Sequence, residues 1–150
     1  YNPYLSLISL HEPVDLHELH IYQNLARSYE SSHKLDEALN QYRKILDHRK
    51  DHILAGEKLI DLHTVKYRNQ ENATEAFDQV IKQYKNSAFL EPNNAILAYL
   101  LGYAYFKFSS FYSYKEELLA RAVQQMEKAL RIDSLLSFKF LTFVKWRKIP

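Results

Sequence analysis

Seven histidines and 18 acidic side chains are the chain's raw material for metal and proton chemistry. His17 and His20 stand three residues apart and His48 and His52 four apart, spacings that would set either pair on one helix face as metal ligands. Both pairs lie in polar turn or helix-end sequence, neither has a third ligand at a fixed spacing, and there is no cysteine. Structural zinc takes about four protein ligands and catalytic zinc about three, so surface histidine is the better reading, and no metal or cofactor is expected. The acid pairs Asp36/Glu37 and Glu116/Glu117 are sequence neighbours in first helical turns. General acid–base work needs two carboxylates facing one pocket. No nucleophile elbow, glycine-rich phosphate loop or HExxH pattern occurs. The chain is expected not to be an enzyme.

The elements that would position such residues are read from composition and periodicity. With 2 Gly and 4 Pro in 150 residues, few points can turn sharply, so long elements joined by short turns are expected, which means helices. A hydrophobic fraction of 47%, 25% charged residues and a mean hydropathy of -0.42 suit one folded domain. The net charge of +2 gives no nucleic-acid footprint and no polybasic membrane anchor. Ala95 to Phe106 is the longest apolar run, short of the ~20 residues that span a bilayer. The chain opens at Tyr1 and reads as a piece of a longer protein, cytoplasmic or exported, with its localisation open.

Three segments share a pattern. The first carries Tyr22, Leu25, Ala26 and Tyr29, then Ala38, Tyr42 and Ile45. The second carries Leu59, Ile60 and His63, then Ala76 and Val80. The third carries Leu101, Gly102 and Tyr105, then Ala122, Met126 and Ala129. Leu25 to Leu59 is 34 residues and Leu59 to Leu101 is 42. Each segment predicts two antiparallel helices with its named residues on the packed faces. Ala26 facing Ala38, and Gly102 facing Ala122, would let the paired axes approach closely.

These residues resemble the tetratricopeptide (TPR) family, whose pattern is W-x2-L-G-x2-Y, then A-x3-F, in a unit of roughly 34 residues. In the first unit Tyr22 replaces the Trp, while Leu25, Ala26, Tyr29, Ala38 and Tyr42 fit. Ala122 to Asp133 is similar to a second helix of the family. The middle unit departs, with Gly56 at the Trp position, Ile60 where a small residue belongs, and its alanine, Ala76, four residues late. The resemblance implies an all-α, right-handed superhelix of helix pairs. Its units are 19–52, 53–94 and 95–134, with an N-terminal lead-in over 1–18 and a C-terminal helix over 135–150, forming one domain.

Two capping boxes, Ser113-Tyr-Lys-Glu116 and Asn72-Ala-Thr-Glu75, predict helix starts at Tyr114 and after Asn72. The helix starting at Tyr114 would run two turns further than usual before reaching Ala122. Asn94 is available as a third N-cap. A short apolar helix is expected over 4–10. The helix over 135–149, with Phe138, Phe140, Leu141, Phe143, Val144 and Trp146, is apolar nearly all round and suggests contact with more protein than this chain contains.

The resemblance implies a concave groove lined by the first helix of each unit, holding a peptide or helix of a partner protein. Its outward positions are Gln23 and Arg27, then Lys58 and Asp61, then Tyr99, Tyr103 and Phe106. Phe106 is the most internal of the three aromatics on this reading. Family members that hold a carboxylate clamp need cations in all three units. Here Asn24, Arg27 and Lys58 offer something similar, but the third unit supplies aromatics, so no such clamp is expected. The function expected is a protein–protein interaction scaffold, without nucleic acid or membrane insertion. The alternatives are the regulatory part of a larger enzyme or transcription regulator, and a homodimer formed through 135–150.

Overall fold

The computed structural model describes residues 16–136 and residue 139. The expectation for 4–10, and nearly all of that for 135–149, fall outside these residues. The described residues are all-α. Six helices follow one another: α1 (Leu16–Ser31), α2 (Leu35–His48), α3 (Ile53–Tyr67), α4 (Ala73–Leu90), α5 (Ala95–Phe108) and α6 (Lys115–Ile132). Two 3₁₀ turns, Ser109–Phe111 and Ser134–Leu136, follow α5 and α6. Each helix packs on the next, forming hairpins α1/α2, α3/α4 and α5/α6, and α3 also packs directly on α5.

The small residues stand where the spacing put them. Ala26, Ala38 and Ala122 are fully buried. A Cβ on Gly102 would lie 3.1 Å from the Ala122 carbonyl oxygen and 3.2 Å from Gln125 Cβ, so the glycine lets α5 lie close against α6. The apolar run from Ala95 has become α5, buried nearly all round between α3, α4 and α6. Phe77 stacks on Phe108 at 4.2 Å between centroids and meets Phe111 at 5.0 Å, which ties the 3₁₀ turn after α5 back onto α4.

Several expectations need correction. Leu25 is 40% exposed, whereas its counterparts Leu59 and Leu101 are buried. Both of their helices follow an earlier hairpin, and no described element precedes α1. In the middle unit the buried alanine is Ala73, with Phe77 and Val80 after it, while Ala76 is only half-buried. The A-x3-F register is therefore Ala73/Phe77, and Ala38 to Ala73 is 35 residues, close to one regular unit. The extra length lies in an 18-residue α4, against 14 residues in α2, and in the turn before α6.

Neither capping box closes. Helix α6 starts at Lys115 with Tyr114 at the N-cap, and neither Tyr114 nor Asn72 makes a side-chain cap bond. The two-turn extension is present, burying Leu118 and Leu119 ahead of Ala122. Asn94 does cap, its Oδ1 accepting from Ile96 N at 3.1 Å and Leu97 N at 3.2 Å. An unforeseen cap opens α3, where His52 Nδ1 accepts from Ala55 N at 3.1 Å.

Candidate functional site

The seven residues singled out from the sequence lie on α1, α3 and α5, three helices that Lys58–Glu30 and Asp61–Tyr103 join into one wall. Arg27 is exposed, while Gln23, Lys58 and Asp61 are half-buried. The aromatic end differs from expectation. Tyr99 and Tyr103 are buried, 4% and 7% exposed, and Phe106 is the most accessible of the three, where it was expected to be the most internal. The reason is the acidic face of α3 beneath the two tyrosines. Tyr99 donates its hydroxyl to Glu57 Oε2 at 2.5 Å, and Tyr103 donates to Asp61 Oδ1 at 2.6 Å. Their rings stack on each other at 5.9 Å. Burial, then the carboxylate that each phenol faces, pushes both tyrosine pKa values far up, so both stay protonated donors.

A motif invisible in the sequence repeats along this wall, in which an acid receives one tyrosine hydroxyl and one lysine ammonium. Glu30 takes Tyr42 at 2.5 Å and Lys58 Nζ at 3.1 Å. Asp61 takes Tyr103 at 2.6 Å and Lys107 Nζ at 3.6 Å. Glu57 takes Tyr99 at 2.5 Å and Lys139 Nζ, which sits 3.1 Å from both carboxylate oxygens. Lys107 also lies 5.9 Å from the Tyr103 ring centroid, and Lys139 5.9 Å from that of Tyr99. Each group joins α3 to α1 or to α5, so the signal rests on long-range pairs that no local spacing encodes. The one available clue was that Glu57/Tyr99 and Asp61/Tyr103 share the 42-residue spacing of Leu59/Leu101.

The histidines do other work than the metal pairs would have done. His48 lies 3.8 Å from Glu18 and stacks on Tyr22, while His52 caps α3. His63 is buried at the contact of α2 with α3. Its Nδ1–H donates to Leu59 O at 2.9 Å, leaving Nε2 as the acceptor 3.5 Å from Arg43 Nη2. Burial holds its pKa down at about 4, which keeps the ring neutral. Among the described residues no three His, Asp or Glu side chains are grouped so as to hold a metal. Also among them, no helix is long and apolar enough to cross a membrane.

The wall can therefore offer one exposed cation at Arg27, half-buried polar groups at Gln23, Lys58 and Asp61, and an apolar edge at Phe106. Its acids already accept tyrosine and lysine donors. Compared with known proteins, the sequence matches no family model and no curated protein.

Proposed function

We propose that this chain is a TPR-like, non-catalytic scaffold that binds a segment of another protein along the wall of α1, α3 and α5. The observation that carries the reading is that Lys58–Glu30 and Asp61–Tyr103 join α1, α3 and α5, the first helices of three successive hairpins, which carry Gln23, Arg27, Lys58, Asp61 and Phe106. Helical hairpins of near-regular spacing stack so that such a face grows with each unit, which suits recognition of an extended or helical segment. The buried tyrosines set the shape and charge of that face and do not themselves enter a partner's pocket. The partner contacts fall to Arg27, Lys58 and Phe106.

A benzophenone side chain placed at Arg27, and in a second variant at Lys82 on the exposed side of α4, tests this in cell lysate. Capture of one protein from position 27 but not from 82, lost when Lys58→Glu is added, is the result expected. Capture from position 82 alone would move the binding surface to the other side of the hairpins and overturn the reading.

A further inference from the structure

Of the three acid–tyrosine–lysine groups, two are closed by lysines of the helices themselves, Lys58 of α3 and Lys107 of α5. The third is closed from outside the hairpins. Lys139 lies beyond α6 and its following turn, 82 residues along the chain from Glu57. Its ammonium sits 3.1 Å from both oxygens of Glu57 and 5.9 Å from the Tyr99 ring centroid. The two side chains of this pair are 26% and 18% exposed, more enclosed than either partner of the Lys107–Asp61 pair, at 30% and 37%. A carboxylate that accepts from both a phenol hydroxyl and an ammonium, beneath an aromatic ring, is a receptor for a primary ammonium.

We infer that Glu57 and Tyr99 form a lysine-recognition site on this wall, and that its occupant in this chain is Lys139. Glu57 lies one residue from Lys58 and four from Asp61, inside the surface assigned to a partner. A partner presenting a lysine there must displace Lys139. The displacement rests on the scaffold reading of the wall, whereas the seating of Lys139 stands without it.

Zero-length carbodiimide cross-linking of the full chain, followed by peptide mass spectrometry, tests the seating. An amide between Glu57 and Lys139 in monomeric protein is expected, alongside the internal control amide between Glu30 and Lys58. The control link without the Glu57–Lys139 link would overturn the proposal. So would a Glu57–Lys139 link confined to cross-linked dimers, which would assign the site to a second copy. A labelled synthetic peptide of residues 135–150 then tests the recognition. Full-chain Lys139→Glu, whose own segment is repelled by Glu57, should bind this peptide about tenfold more tightly than the unaltered chain. The peptide carrying the same Lys139→Glu change should lose that gain. Equal binding by both proteins, or by both peptides, would overturn recognition of lysine at this site. Neither measurement needs a natural partner, so failure here is separate from failure of the photo-capture experiment.

Discussion

Tyr103 donates a hydrogen bond from its hydroxyl to Asp61 at 2.6 Å, from a ring only 7% exposed, so a residue with the appearance of a docking anchor is a strut between α3 and α5. Tyr99 makes the same connection to Glu57 one helical turn earlier. The pair stitches the second hairpin to the third and holds two acids on the wall in fixed positions. Removing either ring would alter the stack itself, so loss of binding in an alanine variant could not be assigned to a lost partner contact.

Tyr103→Phe separates the two effects. It keeps the buried ring and deletes the bond to a charged acceptor, leaving Asp61 with Lys107. The expected cost is about 1–3 kcal/mol of unfolding free energy. Tyr103→Ala should lose about 3–5 kcal/mol, because it opens a cavity between two helices. Urea denaturation of the two variants beside the unaltered chain checks the order. Equal losses would mean that the hydroxyl carries the whole contribution.

Acid should weaken the contact between the first and second hairpins. His63, with its pKa held at about 4 by burial, binds fewer protons when folded than when unfolded, where the value is 6.5. Its stabilising contribution is therefore complete above pH 6.5 and is lost as the pH falls from 6.5 toward 4, amounting to about 3 kcal/mol at most. His52 adds a loss of the same sign. Burial, and then Arg49, lower its pKa, and protonating Nδ1 abolishes the cap on α3. Urea midpoints measured between pH 7 and pH 4 should drop steeply for the unaltered chain and less steeply for His63→Gln, whose side chain cannot titrate.

The turn between α1 and α2 holds an opportunity for stabilisation. His33 has φ 61, and its neighbour Lys34 N–H reaches back to Tyr29 O at 2.8 Å while His33 N–H reaches Glu30 O at 3.0 Å. This is the left-handed helix terminator that glycine favours. His33→Gly should raise stability by about 0.5–1 kcal/mol, since the strain of a Cβ at positive φ outweighs the added freedom of the unfolded chain. Thermal unfolding checks the sign, and a fall in midpoint would mean that the histidine makes a contact worth more than the strain.

The residues that succeeded as sequence signals acted through local geometry. Ala26, Ala38, Gly102 and Ala122 were legible because close helix approach admits few residue types at fixed helical spacing. Asn94 was legible because a cap depends on the two or three residues after it. Ala76 misled because an alanine at the right kind of spacing is common, and only the burial of Phe77 distinguishes the true register. The capping boxes marked the helix starts, after Asn72 and within one residue of Tyr114, although a Ser or Asn can stand there without its side chain turning toward the helix. The acid–tyrosine–lysine groups were out of reach, since each joins residues brought together only by stacking. The same applies to the exposure of Leu25, which depends on what precedes α1 in space.

Gly56 and Tyr84 furnish the sharpest test of how α3, α4 and α5 meet. A Cβ built on Gly56 would lie 2.6 Å from Leu100 Cδ1 and 2.8 Å from the Tyr84 hydroxyl oxygen, both far inside contact distance. In an isolated helix, Gly→Ala would be favourable by about 1 kcal/mol. Here overpacking should prevail, and Gly56→Ala is expected to destabilise by about 1–3 kcal/mol. The Tyr84 hydroxyl is buried with no hydrogen-bond partner among the described residues, and burial alone pushes its pKa up. Tyr84→Phe should therefore be neutral or stabilising, since it removes a polar group that folding leaves unsatisfied. It should also soften Gly56→Ala by deleting one of the two obstructing side-chain ends, while the Leu100 contact keeps the double variant below the unaltered chain. A double-mutant cycle in urea gives the coupling directly. Strict additivity would mean that the hydroxyl swings clear of the new methyl, and a destabilised Tyr84→Phe would mean that the hydroxyl has a bonding partner after all.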